Sequence, residues 1–187
     1  MKRIATFVAA GCLVGAIAAH AAPRPLIADQ SRITFSVKEM GVTVSGRFRR
    51  FDATIDLDPA KPETSSAKIS VDIASLTTGN ADADAIALDE PWLNQHAFAN
   101  ASFVSNAIER SGDDRYTVKG LLTIRGQTRA IVVPLSTAAQ ADGRLVARGH
   151  FTIRRSDFAI GGGEWNESGV VADDVALSFE LTLGAPR

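Results

Sequence analysis

The sequence predicts an all-β fold: an antiparallel up-and-down barrel of about eight strands, interrupted once by a short helical insertion at about residues 80–98. Three observations carry this. Short segments alternate apolar and polar residues with a period of two, the repeat of a half-buried strand. Turn residues separate them at hairpin spacing, at Ser111-Gly112-Asp113-Asp114, Gly126-Gln127 and Ala141-Asp142-Gly143. Between Thr77 and Asn100 the alternation stops, and alanine-rich sequence of good helix propensity replaces it. Strands with one polar face each are best closed on themselves, because closure removes exposed edges.

The chain opens with Lys2 and Arg3, an apolar run from Ile4 to Ala19 and the small-residue pattern Ala19-His20-Ala21. That is the layout of a secretory signal peptide, and the run is shorter than the roughly 20 residues a spanning helix needs. Residues 1–21 are therefore expected to be removed and residues 22–187 to form one domain in an extracytoplasmic compartment. Cys12, in "AAGC", loosely resembles a lipoprotein cleavage site, but Ala9 stands where Leu or Val would be expected, and the cysteine goes with the leader. A mature chain without cysteine excludes disulfides, thiolate nucleophiles, iron–sulfur clusters and Cys-ligated zinc. The whole chain carries 20 basic and 21 acidic residues; losing Lys2 and Arg3 leaves 18 against 21, a net charge of −3. Such a balance does not favour a nucleic-acid partner.

The elements follow in order. In "RITFSVKE", Ile33, Phe35 and Val37 share one face of a strand. In "VTVSGRFRRFDATIDLDP", Val42, Val44, Gly46 and Phe48 have one parity and Phe51, Ala53, Ile55 and Leu57 the other. The switch at Arg49-Arg50 predicts a β-bulge, since one extra residue re-aims every side chain beyond it. "AKISVDI" alternates at Ile69, Val71 and Ile73. In the insertion, Thr78, Asn80 or Asp82 offers a helix cap and Pro91 ends one helix or begins another, so one or two short helices are expected. "ASFVSNAIE", "RYTVKGLLTIRG", "TRAIVVPLST", "GRLVARGHFTIRR" and "DDVALSFELTL" complete the strands, the last with Val175, Leu177, Phe179, Leu181 and Leu183 on one face. The face formed by Leu145, Ala147, Gly149, Phe151 and Ile153 narrows to small residues at its middle, and Gly46 and Gly120 lack bulk as well. Space, or a close crossing of strands, is implied there.

The residues do not compose a catalytic site. The mature chain has two histidines, His96 in the insertion and His150 on the outward parity beside Phe151, too few for most His-based metal sites unless carboxylates complete the set. Acids gather at Asp82, Asp84, Asp89 and Glu90 and at Asp173-Asp174. Helix capping and a turn before the last strand explain them, and no calcium-loop or paired-acid pattern accompanies them. "AIGGGEW" lacks the Gly-Lys-Ser/Thr of a phosphate-cradling loop and reads as a turn, with Trp165 as an anchor or rim residue. Arg47, Arg49 and Arg50 interleave with Phe48 and Phe51 as a charged outer face over an apolar inner one, rather than as a single-strand nucleic-acid groove. "NAS" at Asn100 and "NES" at Asn166 match glycosylation acceptors, a pattern too short to argue from. The expectation is no enzyme, no metal and no cofactor. What remains is the interior, since a barrel of roughly eight strands is filled by side chains or holds one apolar ligand.

In this order, "DQSRITFSVKEMGVTVSGRFRRFDATIDLDP", "AKISVDIASLTTGNADAD", "FVSNAIE", "YTVKGLLTIRGQTRAIVVPL" and "FTIRRSDFAIG" resemble the successive signatures of the YceI-like family of polyisoprenoid-binding periplasmic proteins. The similarity covers essentially the whole mature chain. The family's G-x-F falls on Gly46-Arg47-Phe48, its V-x-G-x-L-T-x-x-G on Val118 to Gly126, and its R-x-D-F on Arg155-Ser156-Asp157-Phe158. Its helical R-D-x-x-L survives only as Ala83-Asp84 followed by Ala87-Leu88, and its F…P-x-x-x-F becomes Trp92, Ala99 and Phe103. These departures fall at the mouth and leave the strand topology untouched.

The resemblance implies a lipocalin-like barrel in the periplasm, sequestering a long-chain polyisoprenoid, an isoprenoid-quinone-like lipid or another long apolar lipid. Expected cavity residues are Phe35, Val37, Phe48, Val71, Ile73, Leu88, Trp92, Leu93, Phe98, Phe103, Leu122, Phe151, Phe158 and Phe179. Arg154, Arg155 and Asp157 are the expected mouth or headgroup residues. Further expected partners are a membrane, touched transiently, and a second copy in a homodimer. The competing expectation is a structural or interaction module whose barrel is full and whose partner is a membrane redox or stress-response protein.

Overall fold

Alternation becomes curvature in the structure, a computed structural model that describes residues 23–163 and 169–185. The leader, Trp165 and the acceptor at Asn166 lie outside the described residues. One antiparallel sheet contains eleven strands: β1 (Arg24–Pro25), β2 (Arg32–Glu39), β3 (Val42–Phe48), β4 (Phe51–Asp56), β5 (Ser66–Asp72), β6 (Leu76–Thr77), β7 (Asn100–Gly112), β8 (Arg115–Ile124), β9 (Gln127–Ala139), β10 (Leu145–Arg154) and β11 (Val171–Leu183). Their spatial order is β1-β4-β5-β7-β8-β9-β10-β11-β2-β3-β6. The expected barrel class is therefore correct, and the difference in count has a simple origin. Two of the eight expected strands are each broken in two by a corner, and the two-residue β1 is added.

The first corner is the parity switch at Arg49-Arg50. β3 sits beside β2 at one end of the strand order and β4 beside β5 at the other, yet only these two residues separate them. The neighbouring chain bends in parallel, β5 pairing with β4 and β6 with β3 across a 3-10 turn at Ile73–Ser75. The two bends are tied together. Arg49 N–H donates to Ser75 O (3.1 Å), Asp72 N–H donates to Arg50 O (3.1 Å), and Arg50 pairs with the Asp72 carboxylate at 2.8 Å. Asp72 also caps its own turn by accepting from Ala74 N–H at 2.9 Å. The switch is thus a barrel corner and not the expected bulge. Register shifts occur instead in β7, between Ser105 and Ala107 and between Arg110 and Gly112, and in β11 between Val171 and Val175.

At the opposite end β1 spans the remaining seam. Arg24 registers with Ile55 of β4, while Leu26 bridges to Leu183 of β11. Ile27 N–H donates to Thr182 O and Gly184 N–H to Pro25 O, both at 2.8 Å. Leu183, Leu181 and Tyr116 are almost wholly buried here among Ile55, Leu57 and Ile108. A second cluster, with Ile73, Leu122, Ile124, Ile153 and Phe158, lies toward the insertion. Burying each such side chain fully contributes about 1.5–3 kcal/mol, enough to define both ends of the barrel.

The insertion contains one helix, α1 (Ala81–Leu88). Asn80 caps it, its side-chain oxygen accepting from Asp82 N–H (2.9 Å) and Ala83 N–H (3.2 Å), and Asp82 and Asp84 place negative charge in the first turn. No second helix follows Pro91. Instead the chain coils back through turns, with Leu93 N–H donating to Ala87 O (3.1 Å) and Phe98 N–H to Asn94 O (2.9 Å).

Candidate functional site

Inward parity builds the candidate site. The inner faces of the strands, with α1 and the coil after it, enclose a cavity of about 380 Å³ that runs from Glu39 and Val171 at one end to Leu57 and Leu183 at the other. Its wall is almost entirely aliphatic and aromatic. Ile33, Ile69, Val118, Val133, Leu135 and Leu177 contribute alongside residues expected from sequence.

Phe35, Val37, Phe48, Val71, Ile73, Trp92, Leu93, Phe103, Leu122, Phe151 and Phe179 line this cavity, as does Arg155. Leu88, Phe98 and Phe158 lie off its wall. Phe158 is buried in the core cluster beside the insertion, Leu88 packs against that cluster, and the Phe98 ring covers Gly126 in the β8–β9 turn. Arg154 and Asp157 are exposed, and Arg154 pairs with Asp173 at 3.1 Å. Asp173 also accepts from Ser156 N–H (2.9 Å) and its hydroxyl (2.8 Å). Burial raises its pKa, but these three donors together hold it below the ordinary carboxylate value.

The glycines on the inner face have a different meaning from the space the sequence implied. Gly46 registers opposite Phe35 and Gly149 opposite Phe179, and in both pairs a methyl carbon on the glycine would overlap the ring. A methyl on Gly120 would lie 2.5 Å from the Phe103 ring. Because the ring tips make these contacts, the three phenylalanines reach sideways across the sheet. Their bulk rests against the wall instead of in the lumen.

Arg155 organises the insertion end. The residue is 4% exposed, and its guanidinium donates to four backbone carbonyls: Ile160 (2.8 Å), Gly161 (2.9 Å), Val171 and Ala172 (both 3.2 Å). The same group stacks on the Trp92 ring, 5.6 Å from its centroid. Gly161, at φ +66°, fits beneath them and donates its N–H to Pro91 O at 2.7 Å. Arg125 reaches from the β8–β9 turn to Glu90 O (2.7 Å) and to Ala159 O. Three segments are thereby locked together over one end of the cavity: the insertion, the β8–β9 turn and the corner after β10.

Sequence reasoning missed Glu39, Thr78 and Ile86, which line the cavity near its rim. Ile86 is the one large apolar residue inside α1 before its last position, a signal the disrupted alternation obscured. Thr78 is held by Asp84, whose carboxylate accepts from its N–H (2.6 Å) and hydroxyl (2.7 Å); the backbone donor is the largest cause holding the Asp84 pKa down. Among the described residues, no group of three or more His, Cys, Asp or Glu is placed to hold a metal ion.

Comparison with known families matches residues 26–183 to the model described as the YceI-like domain. A UPF0312 protein of Shewanella oneidensis is 32% identical over 134 residues, covering 68% of this chain and 70% of the relative. Burkholderia cenocepacia BcnA has a similar structure, with a TM-score of 0.81 and 33% identity over 84% of this chain and 98% of that one. A polyisoprenoid binding domain from Saccharophagus degradans, implicated in plant cell wall breakdown, covers 89% of this chain and 100% of its own at a TM-score of 0.71. At 19% identity, that likeness is one of fold.

Proposed function

The chain belongs to the YceI-like family, and on that premise we propose that it is a non-catalytic carrier that sequesters a long-chain polyisoprenoid or isoprenoid-quinone-like lipid in its barrel, in the periplasm. One observation carries the reading: an apolar cavity of about 380 Å³ remains in the interior, lined along the length of the barrel by Phe, Leu, Ile and Val. That volume falls in the range of about 300–1,000 Å³ typical of small-molecule sites. Each methylene of a guest contributes about 0.8 kcal/mol on leaving water, so a long chain binds without any catalytic group. The cation in the wall, Arg155, is committed to backbone carbonyls and Trp92, so the wall treats a guest as hydrocarbon. The Saccharophagus domain, described as polyisoprenoid binding, supports the chemical class. The export leader read from residues 1–21 supports the compartment.

Organic extraction of the purified protein followed by mass spectrometry tests this. The expected result is an isoprenoid lipid near one per chain, or stoichiometric uptake of added quinone or prenol by protein purified empty. An empty extract together with no uptake of either would leave the carrier reading without support.

A further inference from the structure

We propose that the rim of the barrel docks on a lipid bilayer, through the exposed apolar residues of the β2–β3 turn and Ile86 of α1, which stands at the edge of the cavity. Met40 at the turn tip is 80% exposed and Val42 beside it 67%, the two most exposed large hydrophobic residues among those described. Ile86 of α1 is 54% exposed. The tip is an unusual place for such residues. Met40 and Gly41 both have positive φ, 49° and 82°, as in a two-residue hairpin turn that ordinarily takes Asn, Asp or Gly. A polar residue would serve the turn better and face water without cost. Local rules broken in this way mark places kept for another purpose.

Continuity with the cavity identifies the occupant. Glu39 and Val44, on either side of the tip, line the cavity, and so do Ala83 and Ile86. Met40 N–H donates to Val170 O at 2.7 Å, which ties the tip to the start of β11. A tail leaving a membrane can therefore pass over Met40, Val42 and Ile86 into the lumen without its length crossing water. This proposal rests on the carrier reading for its purpose. It commits to the bilayer, and not to a second copy of the chain, because Ile86 and Val44 carry the apolar surface from the rim into a lumen matched to a lipid tail.

Charge specifies the kind of surface. Around the rim, Glu39, Asp82, Asp89 and Glu90 are exposed acids; the exposed cations there are Lys38 of β2 and Arg47 and Arg49 of the β3 end, Arg49 facing Asp84 of α1, and Arg125 is engaged with Glu90 O, so acids and bases are mixed. A polybasic patch, the usual means of holding an anionic leaflet, is not built here. Docking is therefore apolar, operates on zwitterionic lipid and changes little with salt.

The test uses the full mature chain and extruded phosphatidylcholine–phosphatidylethanolamine vesicles. Co-flotation is measured at low and high salt for the wild type, for Met40→Asn/Val42→Thr, and for Val132→Thr on the outer face of β9 as a control. The rim variant is expected to float several-fold less at both salt levels and to extract a fluorescent quinone from vesicles several-fold more slowly. Its uptake of the same quinone from detergent should remain unchanged, as should its thermal midpoint. Equal flotation of the rim variant and wild type overturns the proposal, as does vesicle binding only to anionic lipid at low salt. A concentration-dependent dimer abolished by the variant, with no vesicle binding, assigns the rim to a second copy and likewise overturns it. Failure of the wild type to take quinone from detergent strikes the carrier reading alone, because flotation still reports on the rim.

Discussion

The guanidinium of Arg155 lies over the indole of Trp92, 5.6 Å from the ring centroid, and this contact joins the corner after β10 to the coil that follows α1. It pins a segment with little regular structure of its own against the barrel end. Trp92 also lines the cavity, so one side chain serves both closure and wall.

Removing that side chain should show both roles. Trp92→Ala is expected to cost about 1–3 kcal/mol, below the full penalty for a buried aromatic because Trp92 is only half-buried, and to weaken lipid retention. Urea unfolding gives the first quantity and extraction of the bound lipid the second. A variant of wild-type stability that keeps its lipid would refute the pinning role.

Arg155 should be the more sensitive partner. Arg155→Met leaves four carbonyls without their donor, and a loss of several kcal/mol is expected, since each buried acceptor left unsatisfied costs about 1–3 kcal/mol. Arg155→Lys keeps the charge but not the planar fork and should rescue only part of the loss. Denaturant midpoints at constant m-value measure both, and full rescue by lysine would mean that charge alone matters.

The ring-over-glycine pairs predict a steric route to a smaller lumen. Gly149→Ala should push the Phe179 ring off the wall, costing about 1–3 kcal/mol and lowering the amount of quinone taken up. The double variant Gly149→Ala/Phe179→Leu should recover part of the uptake, since the added methyl would still press on Pro134 O, 2.8 Å away. A single variant with undiminished capacity would show that the ring has another place to go.

Acid should reveal the Thr78–Asp84 clasp. The Asp84 pKa is lowered below 3.8 in the folded protein, so its contribution to stability is complete above the unfolded value and fades as pH falls through the folded one. The stability gap between wild type and Asp84→Asn is thus expected to be full at neutral pH and to close below about pH 4. Denaturant midpoints followed over that window test the sign, and a gap that widens in acid would reverse the assignment.

What could be read from sequence depended on whether period-two alternation held. Where it held, at Phe35, Val37, Phe151 and Phe179, inward parity placed the residue on the cavity wall. It also covered Arg155, which shares the parity of Phe151 and Ile153, whereas Arg154 has the opposite parity and faces solvent. Applied strictly, the rule would have separated those two arginines. Leu88 and Phe98 belong to a helix end and a coil, where no two-residue repeat assigns a face. The overlap of Phe35 with Gly46 depends on cross-strand register, which becomes visible only when the strands are paired. The Arg49-Arg50 switch was plain in the sequence, but bulge and corner change parity alike, and the partner bend at Ile73–Ser75 decides between them.

The bridge from Leu26 to Leu183 also imposes a timetable on folding. The segment from Arg24 to Leu26 can be fully seated only after the last strand has been made, because β1 pairs with β4 while Leu26, just beyond it, bridges to Leu183 of β11. Hairpins such as β7–β8 and β8–β9 form from neighbouring sequence, but this seam must wait for a loop that spans nearly the whole domain. Until then the outer edge of β4 and the last residues of β11, beyond its pairing with β2 at Glu180, stay open at the seam.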